Sequence, residues 1–563
     1  MTAEKMAVIP ALLNADLRPN GATLADAWHN LLLFDEHTWT AAGATTQPEG
    51  DQNRIQLHQK QLEPVIAQND ITQSIEHSWA QLESMVGPQQ DSIAVFNSLN
   101  WQRSGWVGVD LPADRMLVDP ATHAPVAQVI LRREAGAELP GFGGATNRVR
   151  FRAERVPAVG YKLFALAPAS ATSKFEPQRD VGAEQSQVLE NRYYRITLDP
   201  EHGAIRNIFD KQLHRELVDP ASRFRFGAYV YVQGADDMPG NSLYRYGAAQ
   251  HLPELHPAEA AKGRLVSITT SAQGIIAVLE SSAPNTPSIR TTIVLPADEK
   301  RIELSYRLHK DVTLSKEAAY IAFPLAVEHP EFRYETQNGW VDPARDELAG
   351  GSREWYTVNH WAAVSDGDAT MAVIPRDAPL VCFGDIVRGT WPAEFHPRSA
   401  AIFSWIMSNY WDTNFASSQG GDFNFHYAFV SGAGMDPAEL TRLGWEAMTP
   451  LESDPVHASS SAGALPRDGA GFLSIDRPGV VLTTWKPAEN GDGSILRLED
   501  TSGRAGALHI SSRFLRITAA WLTNILEENE SELPAGPDGI QVNVPAFGIV
   551  TVRIHTQPAG GHS

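Results

Sequence analysis

Apolar residues recur with a helical period through roughly the first 87 positions, and from Ser92 onward they recur every second residue. In "TLADAWHNLLLF" the positions Leu24, Trp28, Leu31 and Leu32 fall at i, i+4, i+7 and i+8, with Thr23 and Asp26 set like a capping box at the start. That spacing predicts an amphipathic helix. A second stripe, Ile71, Ile75, Trp79, Leu82 and Met85, stops at Gly87 and Pro88. Between the two, "TAAGATTQPEGDQN" is rich in Gly, Pro, Thr and Asn and reads as a loop.

After Ser92 the runs "GWVGVDLP", "RYYRITLD" and "RIELSYRLHK" alternate apolar with polar residues, as half-buried strands do. "GIIAVLES", "IRTTIVLP", "GVVLTTWKP", "ILRLED" and "IQVNVPAFGIVTVRI" continue the pattern between Gly, Pro, Asp and Asn turns. Short strands at this spacing, without interleaved helices, predict antiparallel sandwiches rather than a parallel sheet. Two polar, small-residue seams, 167–187 and 454–471, divide the β part. The chain is therefore read as mainly β with a helical N-terminal segment: residues 1–90 helical, 91–175 a small β domain, 185–455 a large β-sandwich, and 470–556 a C-terminal β-sandwich.

Composition narrows the function. With 67 acidic against 46 basic residues the net charge is -21, which repels nucleic acid and anionic membrane surfaces. The single cysteine, Cys382, excludes an intrachain disulfide and a multi-cysteine zinc site, and its run "PLVCFGDIV" suits a buried side chain. No apolar run approaches the roughly 18 to 20 residues of a membrane-spanning helix. The first residues, "MTAEKMAVIPALLNADLRPNG", lack the layout of a signal peptide, so a cytoplasmic location is expected.

Candidate chemistry begins with His37, which follows the Leu24 helix in "FDEHTW", beside Asp35 and Glu36. A carboxylate next to an imidazole can orient it for a metal, although a histidine at a helix end is more often satisfied by backbone or solvent. The His-x-Asp of His309 and Asp311 lies in the polar phase of a strand, where a solvated face accounts for it. Gly-x-Ser-x-Gly, a phosphate-cradling loop and His-Glu-x-x-His are all missing from the sequence. The segment "SNYWDTNFASSQGGDFNFHYAFVSG", 408–432, gathers Tyr410, Trp411, Asn414, Gln419, Phe423, Phe425 and Tyr427 around Gly420 and Gly421. Aromatic faces beside amides suit sugar recognition, and they equally suit a hairpin filling a sandwich core.

Taken in order, "AWHNLLLFDEHTWTA" at 27–41, "VFNSLNWQRSGWV" at 95–107, "LENRYYRITLDPEHGAIRNIFDK" at 189–211, "KEAAYIAFPL" at 316–325, "SNYWDTNF" at 408–415 and "WKPAENGDGSILRLED" at 485–500 resemble glycoside hydrolase family 38. These are the retaining zinc-dependent α-mannosidases, and the resemblance covers nearly the whole chain. It implies a three-helix segment followed by β-sandwiches, the largest like galactose mutarotase, with the family's N-terminal catalytic barrel lacking. It also implies that His37 is a zinc ligand in an intact enzyme and that Tyr410, Trp411, Asn414 and Gln419 are near the sugar.

The nucleophile, the general acid and the remaining zinc ligands of the family match no motif here, so no catalytic residue is assigned. One imidazole cannot hold a catalytic zinc, and without a nucleophile no glycosyl intermediate forms. Thr38 also stands where many members have an Asp that contacts sugar. The expectation is a C-terminal portion acting on α-mannosides, inactive until joined to a catalytic barrel. The alternative is a stand-alone carbohydrate-binding or scaffold protein. Expected partners are an α-mannoside or another glycan and the barrel, and neither nucleic acid nor a membrane.

Overall fold

The period-two runs pair as antiparallel strands. A computed structural model describes the chain apart from residues 42, 45, 88, 135–145, 170–178, 181–186, 235–253, 389, 391, 411–413, 461–462 and 560–563. It is mainly antiparallel β-sheet preceded by three helices: α1 (Thr2–Leu13), α2 (Gly21–Asp35) and α3 (Asp51–Met85). The described chain divides into two compact units, one of 1–35, 62–178 and 449–563, the other of 36–61 and 179–448.

In the second unit the strand Arg301–Lys310 lies inside a ten-stranded sheet, between Thr286–Pro296 and Gly421–Gly432. Its alternation works as the pattern requires, because Ile302, Leu304, Tyr306 and Leu308 are all buried. They join a core fed also by a six-stranded sheet that contains Ala228–Gly234, Glu317–Phe323 and Ile402–Ser408. At its centre Phe226 meets Phe323 edge-on at 5.2 Å and Phe429 at 4.8 Å. Cys382 is buried within the six-stranded sheet, opposite Phe403, and burial pushes its thiol up to about 12.

One helix interrupts the β pattern where the periodicity predicts none: α4 (Pro437–Met448). Its start is clear in hindsight, since Asp436 accepts a hydrogen bond from the Ala438 N–H and Pro437 opens the first turn. It docks closely. A Cβ on Gly444 would lie 2.5 Å from Cβ of His360, and the Trp361 indole donates to Thr441 at 3.0 Å.

In the first unit α1 is woven into the β core, with Met6, Val8 and Ile9 packed in a cluster that includes Phe96, Leu482 and Trp485. Lys5 is buried too, and its Nζ donates to the carbonyls of Ser98 and Leu482 at 2.9 and 2.6 Å.

The helix α3 differs from everything else. It starts at Asp51, far ahead of the stripe that announces its C-terminal half. Up to Ser78 its buried positions are polar or small: Asn53, Lys60, Glu63, Ala67, Ser74 and Ser78. Its exposed positions include Ile55, Leu62, Val65 and Ile66. On α2 only Ala27 is buried, while Trp28, Leu32 and Leu33 are exposed. Among the described residues no helix is long and apolar enough to cross a membrane.

Candidate functional site

His37 stands just past the end of α2, 85% exposed, with Nδ1 2.7 Å from Oε1 of Glu36. Glu36 is itself fixed. It accepts from the Thr38 N–H at 3.0 Å and the Thr38 hydroxyl at 2.8 Å, and Lys60 Nζ lies 3.4 Å from Oε2. The Thr38 hydroxyl, then the backbone and Lys60, hold the Glu36 carboxyl below its ordinary value. A charged, anchored carboxylate therefore lies against the Nδ1 edge of the ring, as an ion-pair contact rather than a hydrogen bond.

The segment after His37 is tied to the aromatic segment, because the Thr40 N–H donates to the carbonyl of Asn414 at 2.8 Å. Two stretches far apart in sequence, His37 with its carboxylate and the 408–432 run, thus share a hydrogen bond between their backbones. The side chains of 408–432 divide. Phe425 and Tyr427 are buried in the sandwich core, with the Tyr427 hydroxyl 2.9 Å from that of Ser404, so the core reading holds for them. Asn414 and Gln419 are half-buried, and Trp411 lies outside the described residues. His309 is half exposed and pairs with Asp422 on the neighbouring strand at 2.9 Å, as a solvated strand face would have it.

Tyr410 is buried, and what covers it was not foreseen. The guanidinium of Arg388 lies 4.7 Å from the Tyr410 ring, 3.5 Å from Trp405 and 5.4 Å from Trp355. Arg388 is 4% exposed, and one of its nitrogens donates to the Tyr320 hydroxyl at 3.2 Å. Nε has no acceptor, and no carboxylate pairs with the charge among the described residues. Three aromatic faces offset part of the desolvation cost of this cation, each by up to about 2 kcal/mol. The spare N–H donors suit an oxygen-rich ligand. The sequence carries a faint sign of it, an arginine inside the apolar "VCFGDIVRGTW".

A zinc ion needs three or four convergent donors, and among the described residues no group of three His, Cys, Asp or Glu could hold a metal. His37, exposed beside the Glu36 carboxylate, offers one nitrogen donor of that kind. The described residues do not complete the site.

Three N-terminal helices lead into antiparallel sheets, and this is the class of fold the structure defines. Two family profiles give the class a name: "Glycosyl hydrolases family 38 C-terminal domain" matches residues 189–378, and "Glycosyl hydrolases family 38 C-terminal beta sandwich domain" matches 479–552. Over these two stretches the chain matches C-terminal β domains of glycoside hydrolase family 38.

An α-mannosidase from Enterococcus faecalis V583 shares the fold with a TM-score of 0.71 at 13% identity, over 98% of this chain and 65% of that chain. A glycosyl hydrolase family 38 protein from Enterococcus faecalis gives 0.72 at 13% identity, over 98% and 68%. At that identity the likeness is one of fold. The chain spans about two-thirds of the length of these solved structures. A galactose mutarotase related enzyme from Lactobacillus acidophilus covers 46% of the chain at a TM-score of 0.26, too low to carry weight. No curated protein matches the chain in sequence.

Proposed function

We propose that this chain is the C-terminal portion of a retaining zinc-dependent α-mannosidase, contributing to the active site without completing it. The observation that carries this reading is the hydrogen bond from Thr40 to Asn414, which holds the His37 segment to the 408–432 run in a chain with both family 38 C-terminal domains. His37 contributes one zinc ligand, with the Glu36 carboxylate against the Nδ1 edge of its ring. A zinc ion bound there supplies Lewis-acid polarisation of a sugar oxygen. Arg388 presents spare N–H donors to the sugar's hydroxyls from its aromatic cage, and Tyr410 and Asn414 shape the same wall.

The nucleophile and the acid come from a separate catalytic domain, which docks on this chain. Apolar side chains exposed on α2 and α3, namely Leu32, Leu33, Leu62, Val65 and Ile66, favour this over a self-sufficient sugar binder.

The test joins the chain to a family 38 catalytic domain and follows hydrolysis of an aryl α-mannoside together with bound zinc. His37→Ala is expected to remove a ligand, lower zinc occupancy and cost at least about 100-fold in kcat/KM. Full zinc and full activity in His37→Ala would refute the assignment.

A further inference from the structure

Asn409, the residue before Tyr410, ties together stretches of the second unit that are far apart in sequence, and it is buried. Its Oδ1 accepts the backbone N–H of Glu317 at 2.8 Å, and its Nδ2 donates to the carbonyls of Ser315 at 2.8 Å and Ser417 at 3.2 Å. The backbone of Asn409 joins in. Its N–H donates to the Glu317 carbonyl at 3.2 Å, and its carbonyl accepts from Lys316 Nζ at 3.0 Å. A carboxamide offers one oxygen and two N–H donors, so the polar groups of this side chain are spent inside the protein.

The base under this clasp is fixed. Glu317 opens the strand Glu317–Phe323 of the six-stranded sheet, and its buried carboxylate takes Lys310 Nζ at 2.6 Å and Asn285 Nδ2 at 3.3 Å. A buried charge pair whose oxygens are also hydrogen-bonded is costly to disturb.

From that base Asn409 reaches both described flanks of the 408–432 segment. Tyr410 follows it directly, and Ser417, bonded to it across eight positions, lies three residues past Asn414. The Asn414 carbonyl takes the Thr40 N–H at 2.8 Å, so the same clasp leads on to the stretch that carries His37.

We propose that Asn409 is the positioning residue of the wall formed by Tyr410 and Asn414: it holds the two flanks at one point and, through the Asn414 carbonyl, holds Thr40 and the His37 stretch against them. It acts through those residues and not by contact with sugar. Its part in sugar binding rests on the mannosidase reading, whereas its part in holding the segment does not.

Asn409→Asp keeps the shape and the acceptor for Glu317 but turns a carboxylate oxygen toward the carbonyls of Ser315 and Ser417, where two donors stood. Asn409→Ala is the milder variant, since it removes the clasp without adding a charge. The first measurement takes the full chain alone and follows amide exchange by mass spectrometry, with melting curves to show that each variant is folded. Exchange at Thr40 and over 414–417 is expected to be at least about tenfold faster in both variants, while the strands Glu331–Thr336 and Thr370–Pro375 keep the parent's rates. Unchanged exchange at Thr40, or protection lost evenly across the sheets, would overturn the positioning role.

The second measurement uses the variants joined to the catalytic domain. KM for an aryl α-mannoside is expected to rise at least about tenfold while kcat stays within about threefold, the mark of lost binding rather than lost chemistry. An unchanged KM beside accelerated exchange would overturn the link to sugar binding. An inactive parent enzyme would sink the mannosidase reading, and the exchange rates would still decide for or against Asn409 as the clasp.

Discussion

The strand Arg301–Lys310 and the helix α3 solve opposite problems. Along the strand the apolar residues Ile302, Leu304, Tyr306 and Leu308 are buried and the polar ones from Arg301 to His309 are partly or fully exposed, so the sandwich is closed by its own sequence. Along most of α3 the order is reversed: Lys60, Glu63, Ser74 and Ser78 are inside, while Leu62, Val65 and Ile66 face outward. A helix usually buries its apolar stripe, and large exposed apolar surface marks interaction sites. The difference is that the β sandwich buries its own apolar face, whereas the helical elements leave apolar side chains exposed.

That contrast can be broken by substitution. The largest effect is expected at the heart of the sandwich: Phe226→Ala removes a ring held by Phe323 and Phe429 and should cost about 3–5 kcal/mol in chemical denaturation. A loss below about 1 kcal/mol would mean that this core is loosely packed.

Next comes Asp454→Asn, which should stabilise. A carboxyl raised from 3.8 to about 6 in the folded state contributes its stability at low pH and loses it as pH rises through about 6. The amide escapes that loss. The variant should therefore match the parent near pH 4 and exceed it by about 1–2 kcal/mol at pH 7, after allowance for partial solvent screening. Melting curves across pH check both the sign and the window, and a gap that closes with rising pH would contradict it.

Arg388→Met separates stability from recognition. A buried cation replaced by an apolar chain of similar size should change stability by less than about 1 kcal/mol, yet weaken sugar binding in the joined enzyme. If stability collapses while KM is unchanged, the arginine only braces Tyr410.

The smallest effect belongs to the exposed face of α3. Leu62→Glu with Val65→Glu should leave the isolated chain within about 0.5 kcal/mol per site, lower its binding of a hydrophobic dye, and abolish docking of the catalytic domain. Retained docking would take this face out of the interface.

The sandwiches were legible because period-two alternation is a direct consequence of the pleat, and it marked Arg301–Lys310 and Tyr194–Asp199 in the right phase. The N-terminal half of α3 was not, since its apolar positions face outward and the stripe that marks a helix is inverted there. The helix α4 was hidden in a β context, although Asp436 and Pro437 announce it.

At the site, His37 stood out because of its neighbours Asp35 and Glu36, and Glu36 is the one that lies against its ring. The Thr40 to Asn414 hydrogen bond joins residues too far apart in sequence for any spacing rule to reveal. Arg388 was missed for a different reason. A lone arginine in an apolar run has no pattern until Trp355, Trp405 and Tyr410 are seen around it.

The most direct measurement is the intact mass and aryl α-mannosidase activity of the native protein purified from its own source, set against the 61.5 kDa of this chain. The account predicts an active species that contains more than this chain, either as one longer polypeptide or as a complex with a second one. Mannoside hydrolysis by a species of 61.5 kDa, unaffected by His37→Ala, would contradict it.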